Sequence, residues 1–127
     1  MQKILFSAIS VGLLSLMFSS GCYLDNEEDL YPSNTCDTTS VTYSAISSLL
    51  DNNGCLGCHS NSAAATNGAG YDLQGYSDVK QVASSNDLLY KAVAHDSTVT
   101  PMPLGGGKIS DCDIAKIRKW VDSDYPE

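Results

Sequence analysis

Basic residues are scarce in this sequence. Seven Lys and Arg residues stand against 15 Asp and Glu residues in a chain of 127, which gives a formal net charge of −8 at pH 7. Binding to nucleic acid, or directly to an anionic lipid surface, requires clustered positive charge, so this balance argues against both partners. The acidity confers solubility, with a bias toward basic protein partners as a second consequence.

The patterns of a β-rich fold and of a hydrolytic active site are also missing. No alternating apolar stretch of useful length and no internal repeat occurs. No Ser-His-Asp set and no carboxylate pair stands at a recognisable spacing, so no catalytic residue is assigned. The length suits one small domain, and the sequence predicts that this domain is all-α and is not an enzyme.

Long apolar runs are confined to the N-terminus. Residues 4–18, which follow Lys3, are apolar apart from Ser and Gly, and the run has the length of a signal-peptide core. It ends in Ser-Ser-Gly-Cys at 19–22, which resembles the lipobox of bacterial lipoproteins. We expect residues 1–21 to be a signal peptide, Cys22 to be acylated, and the protein to be exported and lipid-anchored in the bacterial cell envelope. The alternative is an ordinary secretory signal beside a stray cysteine.

The remainder divides into a tether and a helical domain. Residues 22–35 are polar, acidic and without periodicity, as in a flexible linker. In the domain, residues 36–127, apolar spacing predicts helices over about 43–52, 76–83 and 87–94, and a closing helix that begins after residue 110. The candidate N-caps of the first, third and last of these are Thr42, Asn86 and Ser110.

Five cysteines are an odd number for an exported protein, and the surplus needs an explanation. With Cys22 assigned to lipid, Cys36 and Cys112 are left without a motif. In an oxidising compartment they can pair as a disulfide, the alternative being two buried free thiols.

The other two cysteines, Cys55 and Cys58, stand in Cys-x-x-Cys-His, the attachment signature of c-type haem. Two thiols at this spacing can each add to one haem vinyl group, and His59 then lies under the iron as the proximal ligand. A thioredoxin-like redox pair would require a βαβ setting, which is missing. A structural zinc site would require four ligands, and His95 is the one strong ligand left unassigned.

Counting narrows the sixth iron ligand to two residues. Met102 is the single methionine after residue 21, and it lies between Pro101 and Pro103 in a loop rich in glycine. His95 is the competitor, and it would give bis-histidine ligation. A lone His at the end of a short helix is more often a cap or a surface residue, which favours Met102.

These features together resemble class I cytochromes c, and in particular small lipoprotein cytochrome c domains of Bacteroidota-type bacteria. The likeness rests on the haem motif after a first helix, on Pro-Met-Pro at 101–103, and on the closing helix with Trp120. It implies a fold in which the first and last helices cross beside a covalently bound haem c. The residues it implies for the helix contact are Ile46, Leu49, Leu50, Ile117, Trp120 and Val121, and those for the haem pocket are Leu73, Val79, Leu88 and Val93.

The resemblance also implies a function. We expect an electron carrier whose iron cycles between Fe(II) and Fe(III) with His59 and Met102 bound, and whose partners are redox proteins. Two alternatives remain at this point: a haem-based gas or ligand sensor with an open sixth position, and a haem relay module docked on a membrane redox enzyme.

Overall fold

The computed structural model describes residues 36–127 and contains, in that range, helices and no strands. The helices are α1 (Tyr43–Asn52), α2 (Leu56–His59), α3 (Tyr76–Ser84), α4 (Leu88–Val93) and α5 (Asp111–Asp122). The prediction of an all-α domain is therefore confirmed for the described part of the chain. The predicted signal peptide, the lipidation of Cys22 and the tether lie outside the described residues.

The first helix has the bounds that apolar spacing predicted, but its N-terminus is held differently. Thr42 is at the N-cap position, yet its side chain makes no capping hydrogen bond. The Tyr43 N–H instead donates to the Pro126 carbonyl at 2.9 Å. At the other end, the Asn53 side chain donates to the Leu49 carbonyl at 2.9 Å. The start of α1 is thus tied to the C-terminal segment of the chain.

The closing helix begins as predicted. Ser110 is its N-cap, and the Ser110 hydroxyl accepts a hydrogen bond from the Asp113 N–H at 3.1 Å. Asp111 and Asp113 lie in the first turn and Lys119 in the last, which suits the helix dipole.

The cap predicted for the second middle helix was wrong. Asn86 is not the N-cap of α4, which begins one residue later than expected; the cap is Asp87, and its side chain makes no capping bond. Asn86 and Asp87 both have positive φ, 55° and 57°. A left-handed pair turns the chain before the helix can start, and Asn and Asp tolerate this conformation better than most residues.

The core is built where α1 packs against α5, with α4 contacting both α3 and α5. Ile46, Ile117 and Trp120 are fully buried. The Trp120 indole stands edge-on to Tyr125 at 5.2 Å between ring centroids, and its N–H donates to the Pro126 carbonyl at 2.8 Å. Of the residues expected at the helix contact, Val121 is only partly buried against this core.

Two cysteines connect the ends of this arrangement. The Sγ atoms of Cys36 and Cys112 are at disulfide distance, 2.15 Å, with 76 residues of separation. Cys36 precedes α1 and Cys112 lies in the first turn of α5, so the pair would tie the two helices that form the core. None of the helices described in residues 36–127 is long and apolar enough to cross a membrane.

We expect replacement of both Cys36 and Cys112 by Ser to lower the free energy of unfolding. For a separation of 76 residues, chain entropy sets an upper figure of about 4–5 kcal/mol. Chemical denaturation measures the loss, and non-reducing peptide mapping should recover the two segments linked. Reductant should bring the wild type to the stability of the variant and leave the variant unchanged. Two free thiols in protein from its native compartment would contradict the pairing.

Candidate cofactor site

The Cys-x-x-Cys-His motif lies in a single helical turn directly after α1. Gly54, with φ of 71°, turns the chain out of α1. The Cys55 N–H then donates to the Leu50 carbonyl, and the His59 N–H donates to the Cys55 carbonyl, both at 2.9 Å. Cys55 is the N-cap of α2 and has helical backbone angles, and residues three apart in a helix lie on one face, so the Cys55 and Cys58 side chains lie on the same side. Apolar periodicity could not predict this helix, because it is only four residues long.

A cavity of about 750 Å³ opens beside this turn. Cys55, Cys58 and His59 line one part of its wall, and Met102 lines another. The volume is within the range of about 300–1,000 Å³ that is usual for small-molecule and cofactor sites. The fold therefore brings the three motif residues and the predicted sixth ligand to one cavity.

The rest of the cavity wall is uncharged. No Asp, Glu, Lys or Arg of the described residues lines it. Three of the four residues expected in the pocket, Leu73, Leu88 and Val93, do line it, but Val79 does not. Val79 is fully buried in the core between the helices instead. Leu104, which is 76% exposed, and Tyr71, which is 46% exposed, lie at the same cavity.

The imidazole of His59 is oriented by the loop that follows it. Its Nδ1 is 2.9 Å from the Tyr71 carbonyl oxygen. A carbonyl can only accept, so Nδ1 carries the proton and Nε2 keeps its lone pair for a metal. The Leu73 N–H donates to the His59 carbonyl at 2.7 Å, which fixes the same residue from its backbone.

Gly68 allows this loop to lie close to the motif. A Cβ at this position would stand 2.6 Å from the Cys58 carbonyl oxygen and 2.8 Å from His59 Nδ1. Both distances are shorter than a carbon atom can tolerate, so the absence of a side chain is required here. Neither the Tyr71 carbonyl nor the need for glycine at 68 could be recognised in the sequence.

The two motif thiols differ in their surroundings. Cys55 is partly buried and Cys58 is exposed, and neither is in a disulfide. Burial raises the pKa of the Cys55 thiol above its ordinary value. Nucleophilic redox cysteines have a lowered pKa, so Cys55 has the opposite tendency from a thioredoxin-type residue.

The two candidates for the sixth ligand have different positions. Met102 lines the cavity, whereas His95 does not. His95 is partly buried just after α4, and its Nε2 is 3.0 Å from the Met102 carbonyl oxygen. The Met102 N–H donates to the Ala92 carbonyl at 2.9 Å. Met102 therefore shares the cavity with His59, and His95 contacts the Met102 backbone.

These side chains fit a covalently attached haem. The lining of the cavity would offer two thiols for the vinyl groups of a haem, and one imidazole and one thioether as ligands for the iron. The rest of the wall is largely apolar, which suits the macrocycle. In residues 36–127, no group of three or more His, Cys, Asp or Glu side chains stands together as ligands for a metal ion.

We expect Gly68→Ala to lower the free energy of unfolding of the purified protein by about 1–3 kcal/mol, because the added methyl group overpacks the Cys58 carbonyl and displaces His59. Gly57→Ala is the matched control, since a Cβ at Gly57 meets nothing within 4 Å. The control should lose no stability, because Ala is a better helix former than Gly. Equal denaturation midpoints for the two variants would show that the loop does not pack tightly on the motif.

Comparison with known proteins gives no further guide to this site. No protein-family model, curated protein or solved structure matches the chain. The function of the cavity is therefore argued from its own side chains.

Proposed function

We propose that the domain is a monohaem c-type cytochrome that carries electrons. One haem c is bound through Cys55 and Cys58, and its iron is ligated by His59 and Met102. The observation that carries the proposal is that all four residues line one uncharged cavity although Met102 is far from the others in sequence. When bound, the haem supplies the Fe(II)/Fe(III) couple, and the chain makes or breaks no bond in a substrate.

The motif turn has the arrangement that attachment requires. Each thiol would add across one vinyl group of the haem: the sulfur would bond to one vinyl carbon and the thiol hydrogen would go to the other, so no oxidant would be consumed. Cys55, the N-cap of α2, and Cys58, within α2, both line the cavity and are three residues apart, which places them on one helical face. The Tyr71 carbonyl holds the His59 ring with Nε2 available to the iron.

Two features favour a high reduction potential. A thioether ligand stabilises ferrous iron relative to a second imidazole. The uncharged, largely apolar wall also disfavours the ferric state, which carries one more positive charge than the ferrous state. Both effects suit an electron acceptor in an exported redox chain.

The proposal includes a cytochrome c fold. Its support is the order of the parts: the motif follows α1 directly, the Met102 loop precedes α5 directly, and α1 packs against α5. In the sequence, α1 comes before the four proposed haem-binding residues and α5 comes after them, and the two helices pack against each other in the fold.

We place the carrier in the bacterial cell envelope, exported and held to a membrane by lipid on Cys22. Support comes from the apolar run at residues 4–18 that ends in a lipobox-like Gly-Cys. Its partners are redox proteins and not nucleic acid, given the net charge of −8. Mass spectrometry of the mature N-terminus tests the anchor: an unmodified N-terminus on soluble protein would remove it.

The first test of the function is covalent haem. In a host competent for cytochrome maturation, acid-acetone should leave the haem with the polypeptide, and the intact mass should include one haem per chain. Cys55→Ala or Cys58→Ala should retain haem through a single thioether in a less stable product. A haem-free mass for the wild type would refute the proposal.

The second test concerns the sixth ligand. Met102→Ala should abolish the near-infrared charge-transfer band of ferric thioether ligation and lower the potential by something on the order of 0.1 V, a fraction of the ≈ 0.8 V that axial ligands span. Leu104→Ala, in the same loop and 76% exposed, is the matched control and should keep the band. A wild type that is already high-spin would favour the sensor over the carrier.

A further inference from the structure

We propose that His95 is a positioning residue that holds Met102 in place for the iron; the inference rests on the proposed function. The imidazole does not line the cavity, but its Nε2 is 3.0 Å from the Met102 carbonyl oxygen. Because the carbonyl can only accept, Nε2 carries a hydrogen and donates it. The residue that competes with Met102 as a ligand in the sequence thereby supports Met102 in the structure.

The hydrogen bonds form a closed ring at the end of α4. The Ala92 carbonyl accepts from the Met102 N–H at 2.9 Å and from the His95 N–H at 3.2 Å. The His95 side chain closes the ring through its bond to the Met102 carbonyl. Both polar groups of the Met102 backbone are therefore bonded to the same helix end.

Little else holds this loop. Of the hydrogen bonds formed by the described residues, the two made by Met102 are the ones that connect residues 100–108 to the remainder of the domain. The bond from the Gly106 N–H to the Pro103 carbonyl is internal to the loop. The helix end is a firm support, because Leu89, Ala92 and Val93 are buried. The His95 bond is thus one of two hydrogen bonds that fix the Met102 backbone relative to the end of α4.

The backbone at His95 indicates that its side chain has a purpose beyond ending the helix. The His95 N–H bonds the Ala92 carbonyl and the Asp96 N–H bonds the Lys91 carbonyl, the pattern of a Schellman motif. His95 occupies the left-handed position of that motif, with φ of 56°. Glycine is the usual residue there, since it adopts this conformation without strain. A histidine ends the helix less well than glycine, but it alone of the two can reach Met102.

His95 has two roles, to end α4 and to donate to Met102, and the variants His95→Gly, His95→Asn and His95→Gln separate them. The order in which these variants should preserve one role is the reverse of the order for the other. As a helix end, the left-handed position favours Gly, then Asn, then Gln. As a donor to Met102, Gln is the substitute, because its amide nitrogen is as many bonds from Cα as Nε2 is. The Asn amide is one bond short, and Gly has no donor.

The experiment is an imidazole titration of the ferric holoprotein, with the near-infrared thioether band recorded at each step. We expect His95→Gly and His95→Asn to bind external imidazole about fivefold more tightly than the wild type, the factor that corresponds to one typical hydrogen bond. His95→Gln should stay close to the wild type. Thermal stability should follow the other order, with His95→Gly at least as stable as the wild type.

The outcomes are distinguishable from failure of the proposed function. A wild type without covalent haem, by intact mass, overturns the cytochrome and the role of His95 together. A wild type with covalent haem but no thioether band overturns the assignment of Met102, and this inference with it. The remaining case is a wild type with covalent haem and a thioether band. In that case, equal imidazole affinities in all four proteins, or an affinity of His95→Gln as high as that of His95→Gly, would overturn the positioning role alone.

Discussion

The packing of α1 against α5 is the constraint on which the site depends. The motif turn starts where α1 ends, and the Met102 loop runs into the N-terminus of α5. The packing of these two helices therefore contributes to the distance between His59 and Met102. Ile46, Ile117 and Trp120, all fully buried, hold the contact. The Pro126 carbonyl accepts hydrogen bonds from the Trp120 indole in α5 and from the backbone N–H of Tyr43, the first residue of α1. The C-terminal segment is therefore hydrogen-bonded to both helices.

The cavity of about 750 Å³ lies toward the upper end of the range of about 300–1,000 Å³ that is usual for cofactor sites. Its wall includes Tyr71 and Leu104, which are 46% and 76% exposed. A small domain buries a limited share of its surface, and leaving these side chains against water would weaken it further. A bound macrocycle would complete the core. A dissociable macrocycle would stabilise the folded state by mass action, whereas a covalent one would stay with the chain at any haem concentration. On the proposed function, cofactor binding and folding are thus coupled. The Cys36–Cys112 pair connects the segment before α1 to the first turn of α5, and this connection does not depend on the haem.

Apolar periodicity predicted the parts of the fold that involve long segments, and the counts of Cys, His and Met predicted those that involve rare residues. The bounds of α1, the Ser110 cap and the presence of Met102 at the cavity are of this kind, because each depends on side-chain type. The parts that could not be predicted depend on backbone groups. The carbonyls of Tyr71 and Met102, which bond the two histidines, have no signature in the sequence. The resemblance implied a pocket position for Val79, and the apolarity of that residue does not distinguish a pocket wall from the core beside it.

An uncharged site within an acidic chain raises the question of which electrostatic effect sets the potential. A surface carboxylate about 10 Å from an iron interacts with it by roughly 0.4 kcal/mol in water, before screening over a Debye length of about 8 Å reduces that figure further. Removing one charge from water costs several kcal/mol in an apolar site. On the proposed function, the cavity wall and the thioether would therefore dominate the potential, and the net charge of −8 would act mainly on which partners approach. Under that proposal, the surface could select the electron donor and acceptor without changing the potential of the iron, provided that the Met102 loop keeps its place on α4.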